Sequence, residues 1–108
     1  MGERREDLTA TLEAYYRGCG WKVQRADDGT VRADGTGGVT WIGLAVVPDD
    51  LADGMFEARV RELADVRMPG GGERCPFELL PAEECSGEVR SLLERLRLRD
   101  RVSVYSLA

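Results

Sequence analysis

Six aspartates stand where the chain is written to turn: Asp27, Asp28 and Asp34, then Asp49, Asp50 and Asp53. Carboxylates beside strand ends can hold Mg²⁺ or Ca²⁺ through oxygen ligands, and a metal so held can activate water. On that reading Asp34, Asp49 and Asp50 would be the metal ligands of a hydrolase or nuclease. The residue types favour a plainer assignment. Asp27-Asp28-Gly29 suits a tight hairpin turn, and Asp49, Asp50 and Asp53 suit the start of a helix.

Other catalytic chemistry is narrowed by what the chain lacks. It has no histidine, which removes Ser-His and Cys-His pairs, histidine metal ligation and the usual neutral-pH switch. Of 15 basic residues only Lys22 is a lysine. The cysteines Cys19, Cys75 and Cys85 are too dispersed for a CxxC metal or redox site. They read as reduced, part-buried thiols of a cytoplasmic protein. Arg74 beside Cys75 would lower that thiol's pKa, but no strong base accompanies it. Carboxylates remain as nearly the sole catalytic candidates, and the sequence assembles no catalytic set and implies no cofactor.

The glycine-rich stretches 35–38 and 70–72 also fail as phosphate cradles. Such a loop runs from a strand into a helix, whereas the first precedes a strand and the second follows a helix. Trp21 and Trp41 read as core anchors, and Tyr15, Tyr16 and Tyr105 as core edges with hydrogen-bonded tips.

Charge is distributed unevenly. The whole chain carries 15 basic and 20 acidic residues, a net −5. Residues 89–108 hold Arg90, Arg95, Arg97, Arg99 and Arg101 against Glu94 and Asp100, a net +3, which leaves −8 on residues 1–88. Arginine forks suit carboxylates and phosphates. These five arginines are therefore the candidate partner-binding residues, for an acidic protein or a second copy of the chain. Nucleic acid is the lesser alternative, since the chain as a whole is acidic.

The elements that must position these groups follow from spacing. Leu8, Leu12, Tyr15, Tyr16 and Cys19 lie at helical intervals, and Gly18 and Gly20 end that helix. Alternation at 21–25 and a return at 30–33 predict a hairpin. Residues 39–47 are apolar on both faces, which predicts a central strand stopped by Pro48; Gly43 within it marks a close approach by another element. Phe56, Val60, Leu63 and Ala64 predict a second helix, with Glu57 and Arg61 as an i, i+4 pair. Residues 75–80 read as a strand. Ser86 is placed to cap a third helix carrying Val89, Leu92, Leu93 and Leu96, with an extra turn at Glu83 and Glu84. Residues 101–107 alternate as a last strand.

The expected architecture is α+β with an α/β-like second half. A single domain spans residues 1–108 in the order αβββαβαβ, with a mixed sheet and helices packed on it. That order resembles the restriction-endonuclease-like fold, in which a turn aspartate and a Glu-x-Lys on the next strand bind metal. Asp34 would take the first role. The strand at 41–47 has neither acid nor lysine, so the likeness is one of topology and implies an inactive site.

The longest mostly apolar run, 39–47, is far short of the ~20 residues of a membrane span. No secretory signal opens the chain. The functional expectation is a non-catalytic interaction module or accessory subunit, with a homodimer as one form of it; the alternative is a metal-dependent nuclease or hydrolase, degenerate or active, that uses the acidic turn residues.

Overall fold

A helix of 16 residues, α1 (Glu3–Gly18), opens the chain. Gly20 ends it at φ 86°. The Trp21 amide donates to Tyr16 O and the Gly20 amide to Arg17 O, the paired bonds of a Schellman cap. β1 (Lys22–Arg25) and β2 (Val31–Asp34) form the expected hairpin, followed by a 3₁₀ turn (Thr36–Gly38) and β3 (Thr40–Val46). Two helices follow, α2 (Pro48–Ala52) and α3 (Phe56–Ala64), then β4 (Phe77–Pro81), a 3₁₀ turn (Glu83–Cys85), α4 (Ser86–Arg95) and β5 (Val102–Val104). The computed structural model describes residues 3–26, 29–69 and 72–105. The expected turn at Asp27 and Asp28, the loop glycines Gly70 and Gly71, and the strand end at 106–107 lie outside the described residues.

The five strands stand in chain order, β1-β2-β3-β4-β5. The first two pairings are antiparallel and the last two parallel. Each parallel pairing needs a crossover, and crossovers of one hand put their helices on one face of the sheet. α3 and α4 accordingly share one core with Ile42, Leu44, Val46, Phe77, Leu79 and Val102. α1 covers the opposite face, where Leu12 and Tyr16 pack with Val31, Ala33 and Leu80. The result is an α+β domain with a mixed five-stranded sheet covered on both sides.

β3 is the middle strand and is buried on both faces, as its run of apolar residues requires. Gly43 explains how α1 reaches it. A Cβ built there would lie 2.7 Å from the Tyr16 hydroxyl and 3.3 Å from a Leu12 methyl. The helix rests on bare backbone.

Several local expectations are corrected. The aspartate cluster does not cap one helix. Pro48 begins α2, and Asp50 in its first turn accepts from the Val47 amide at 2.9 Å. Asp53 ends α2 and accepts from the Met55 amide at 2.9 Å, at the start of α3. Ser86 is the first residue of α4 rather than its cap; Cys85 holds the cap position, without a side-chain bond. Glu57 pairs with Arg95 of α4 instead of Arg61, because α3 and α4 lie side by side.

Candidate interaction surface

The acidic turns are not gathered. Asp34 is exposed at the end of β2 and accepts from the Thr40 hydroxyl at 2.9 Å, at the first residue of β3. Asp49 and Asp50 stand beyond the other end of β3. Seven residues separate these ends, about 20 Å at the rise of an extended chain. One ion does not reach Asp34 and the Asp49–Asp50 pair together. Asp50 is also engaged, by the Val47 amide and by Arg5 at 2.7 Å. Among the described residues no group of three or more acidic or cysteine side chains is arranged to hold a metal.

The cysteines correct the sequence reading in two ways. Cys75 and Cys85 are fully buried and Cys19 is exposed; all three are free. Burial pushes the Cys75 thiol up rather than down. The Arg74 guanidinium that was to activate it turns instead to Asp65. Trp21 and Trp41 are half-buried and stack on each other with centroids 5.3 Å apart. Tyr16 is buried with its hydroxyl donating to Glu78 at 3.1 Å, as expected of a core tyrosine, while Tyr15 is largely exposed.

The C-terminal arginines divide into two sets. All five are exposed. Arg95 is bound to Glu57, and Arg101 to Asp65 at 2.9 Å. Arg90, Arg97 and Arg99 have no ion-pair partner among the described residues. Arg97 adopts φ 59° at the position after the α4 cap. Its amide donates to Glu94 O and that of Leu98 to Leu93 O, so it occupies the place that Gly20 holds after α1.

Arg90 and Arg99 line a groove of about 500 Å³ with Leu93, Glu94 and all three residues of β5. Among the described residues β5 pairs with β4 alone and is an edge of the sheet. The Tyr105 amide donates inward to Leu79 O at 2.8 Å. Backbone direction alternates along a strand, so the N–H and C=O of Val104 face away from β4. The Val102 amide already donates to Leu98 O at 2.9 Å, so the open part of this edge is Val104, beside two guanidinium groups without an ion pair among the described residues.

Of the remaining arginines, the sequence does not single out Arg67 and gives Arg74 a different role, beside Cys75. Arg67 and Arg74 face each other in an antiparallel bridge. The bonds Met68 N–Glu73 O and Cys75 N–Val66 O hold the loop between them. They join Arg101 around a cavity of about 440 Å³ floored by Ala64, Cys75 and Pro76. The signal was present: the two arginines bracket the Pro-Gly-Gly-Gly turn, which brings them together when the chain doubles back. On the far side of α4 a larger groove is acidic, lined by Asp53, Glu57, Glu84 and Glu88 with Arg95. α4 thus divides an acidic surface from a basic one.

No protein-family model, no curated protein and no solved structure matches this chain. Among the described residues no helix is long and apolar enough to cross a membrane.

Proposed function

We propose that the chain is a non-catalytic interaction module, an accessory subunit that receives an extended acidic segment of a partner along β5. The observation that carries this reading is the outward-facing backbone of Val104 on the β5 edge, beside Arg90 and Arg99, which form no ion pair among the described residues. Strand addition supplies main-chain hydrogen bonds. With three residues in β5 those bonds are few, and the arginines supply the remaining attraction. The net −8 on residues 1–88 disfavours approach of a like-charged partner to the acidic groove across α4, which helps to orient the encounter. A second copy of the chain is the other occupant the edge would accept, by pairing β5 with β5.

The test uses a synthetic peptide of alternating glutamate and valine, with amide exchange and light scattering as readouts. Expected are saturable binding that weakens with salt, protection of the Val104 amide, and loss of both in Arg90→Glu/Arg99→Glu. Val104→Pro removes the outward-facing N–H and is tolerated at an edge, and Val104→Ala controls for the loss of a side chain packed on the core; the proline variant should block binding and the alanine variant should not. A dimer that dissociates in Val104→Pro makes a second copy the occupant. An unprotected Val104 amide in a strict monomer with no peptide affinity overturns the proposal.

A further inference from the structure

The cavity at the start of β4 and β5 shares no lining residue with the groove at the β5 edge. One carboxylate oxygen, Asp65 Oδ1, accepts from Arg74 Nε at 3.1 Å and from Arg101 Nη2 at 2.9 Å. Two guanidiniums from different parts of the chain therefore converge on a single oxygen. Arg67 completes the cluster, and its guanidinium donates to the Gly72 carbonyl rather than to an acid.

A guanidinium has five N–H donors. The bonds above use one from each arginine, so most of the donor capacity around the cavity is unspent. Three positive charges meet Asp65 and the lining Glu73, which leaves the cluster net positive. The Asp65 side chain is 63% exposed and, among the described residues, is bound only to these arginines. Its carboxyl is held below the usual carboxylate range by Arg74 and Arg101. It is a monoanion sitting where a larger anion with more oxygens would bind better.

We propose that Arg67, Arg74 and Arg101 form a binding site for a phosphoryl group, with Asp65 as the internal anion that the ligand displaces. A tetrahedral dianion offers separate oxygens to each guanidinium, which one carboxylate oxygen does not. The phosphoryl group would come either free in solution or on a phosphorylated peptide.

The test follows the Nε–H signals of Arg74 and Arg101 by NMR during titration at constant ionic strength. One arm uses inorganic phosphate; the other uses a short phosphoserine peptide beside its unphosphorylated form. Saturable shifts at both arginines support the site. Tighter binding of the phosphopeptide assigns the peptide source, and equal or tighter binding of inorganic phosphate assigns the free one.

Arg74→Gln or Arg101→Gln should weaken binding at least about tenfold, the loss expected for a hydrogen bond to a charged group. Asp65→Asn should tighten it, because the competitor is gone. All these side chains are exposed, so unchanged melting temperatures are expected of every variant. Shifts that never saturate or that sodium chloride reproduces overturn the proposal, as does an Asp65→Asn affinity equal to or below that of the native chain.

Discussion

The two faces of the sheet are built from different chemistry. Beneath α3 and α4 the contacts are mainly aliphatic, among Leu44, Val46, Val60, Leu79, Val89 and Leu93, with Phe56 and Phe77. Beneath α1 the buried cluster is small, and rings and charges do the rest. Tyr105, Tyr15, Tyr16, Trp21 and Trp41 contact one another in succession, with centroids 4.9–5.9 Å apart. This array holds every tyrosine and tryptophan of the chain. Arg25 on β1 is bound to Glu13 and Glu6 of α1, and Tyr16 to Glu78. A face of flexible aliphatic side chains absorbs small changes by repacking. A face of rigid rings and directional bonds set against bare backbone has little room to do so.

Gly43 is where that contrast is most easily broken. Gly43→Ala puts a methyl against the Tyr16 hydroxyl and ring and the Leu12 side chain. Overpacking of this kind costs about 1–3 kcal/mol, read as a fall in the urea midpoint. The same measurement in a Tyr16→Phe background separates clash from general strain. Removing the hydroxyl deletes the closest contact, so the cost of Gly43→Ala should shrink by at least about 0.5 kcal/mol, the coupling expected of touching residues. Strict additivity would mean that α1 does not rest on Gly43.

Tyr16→Phe alone probes the polar side of the comparison. At neutral pH it should cost about 1.5–3 kcal/mol, the worth of a hydrogen bond to a charged group. Burial and the adjacent Glu78 raise the Tyr16 phenol above its ordinary value. The folded state therefore holds this proton more tightly than the unfolded chain does. The resulting stability is complete below about pH 10, the unfolded value, and is lost as pH rises beyond it. The native chain should lose stability above pH 10 faster than Tyr16→Phe does, and the two denaturation midpoints should converge. Parallel curves would show that the hydroxyl is not buried in solution.

The same division decides how much the sequence discloses. The α3–α4 face is legible because Phe56, Val60, Leu63 and Ala64, and later Val89, Leu92 and Leu93, carry the helical period, while β3 is apolar throughout. The element order, the middle place of β3 and the close approach at Gly43 follow from local pattern. Long-range partners do not. Glu57 has Arg61 within reach on its own helix, yet packing gives it Arg95. Arg74 adjoins Cys75, yet the loop turns it to Asp65. Asp34 and Asp50 look alike in sequence but stand at opposite ends of β3. The C-terminal arginines are visible as a group, but their split into bound and unbound members depends on acids that α3 and its following loop supply.

The last prediction sets the two helix ends against each other. α1 and α4 finish in the same Schellman arrangement, one with Gly20 in the left-handed position and the other with Arg97. A side chain in that conformation costs roughly 1–2 kcal/mol that glycine does not incur. Arg97→Gly should therefore stabilise the protein, by about 1 kcal/mol, with a melting temperature higher by roughly 4–8 °C. Gly20→Ala should shift it comparably in the opposite direction. Arg97 is exposed and makes no ion pair among the described residues, so its removal gives up no intramolecular bond that would offset the gain. If Arg97→Gly leaves stability unchanged, the α4 end is not held in the left-handed form in solution. The turn that aims Arg99 and β5 toward the groove would then be looser than its counterpart beneath Trp21.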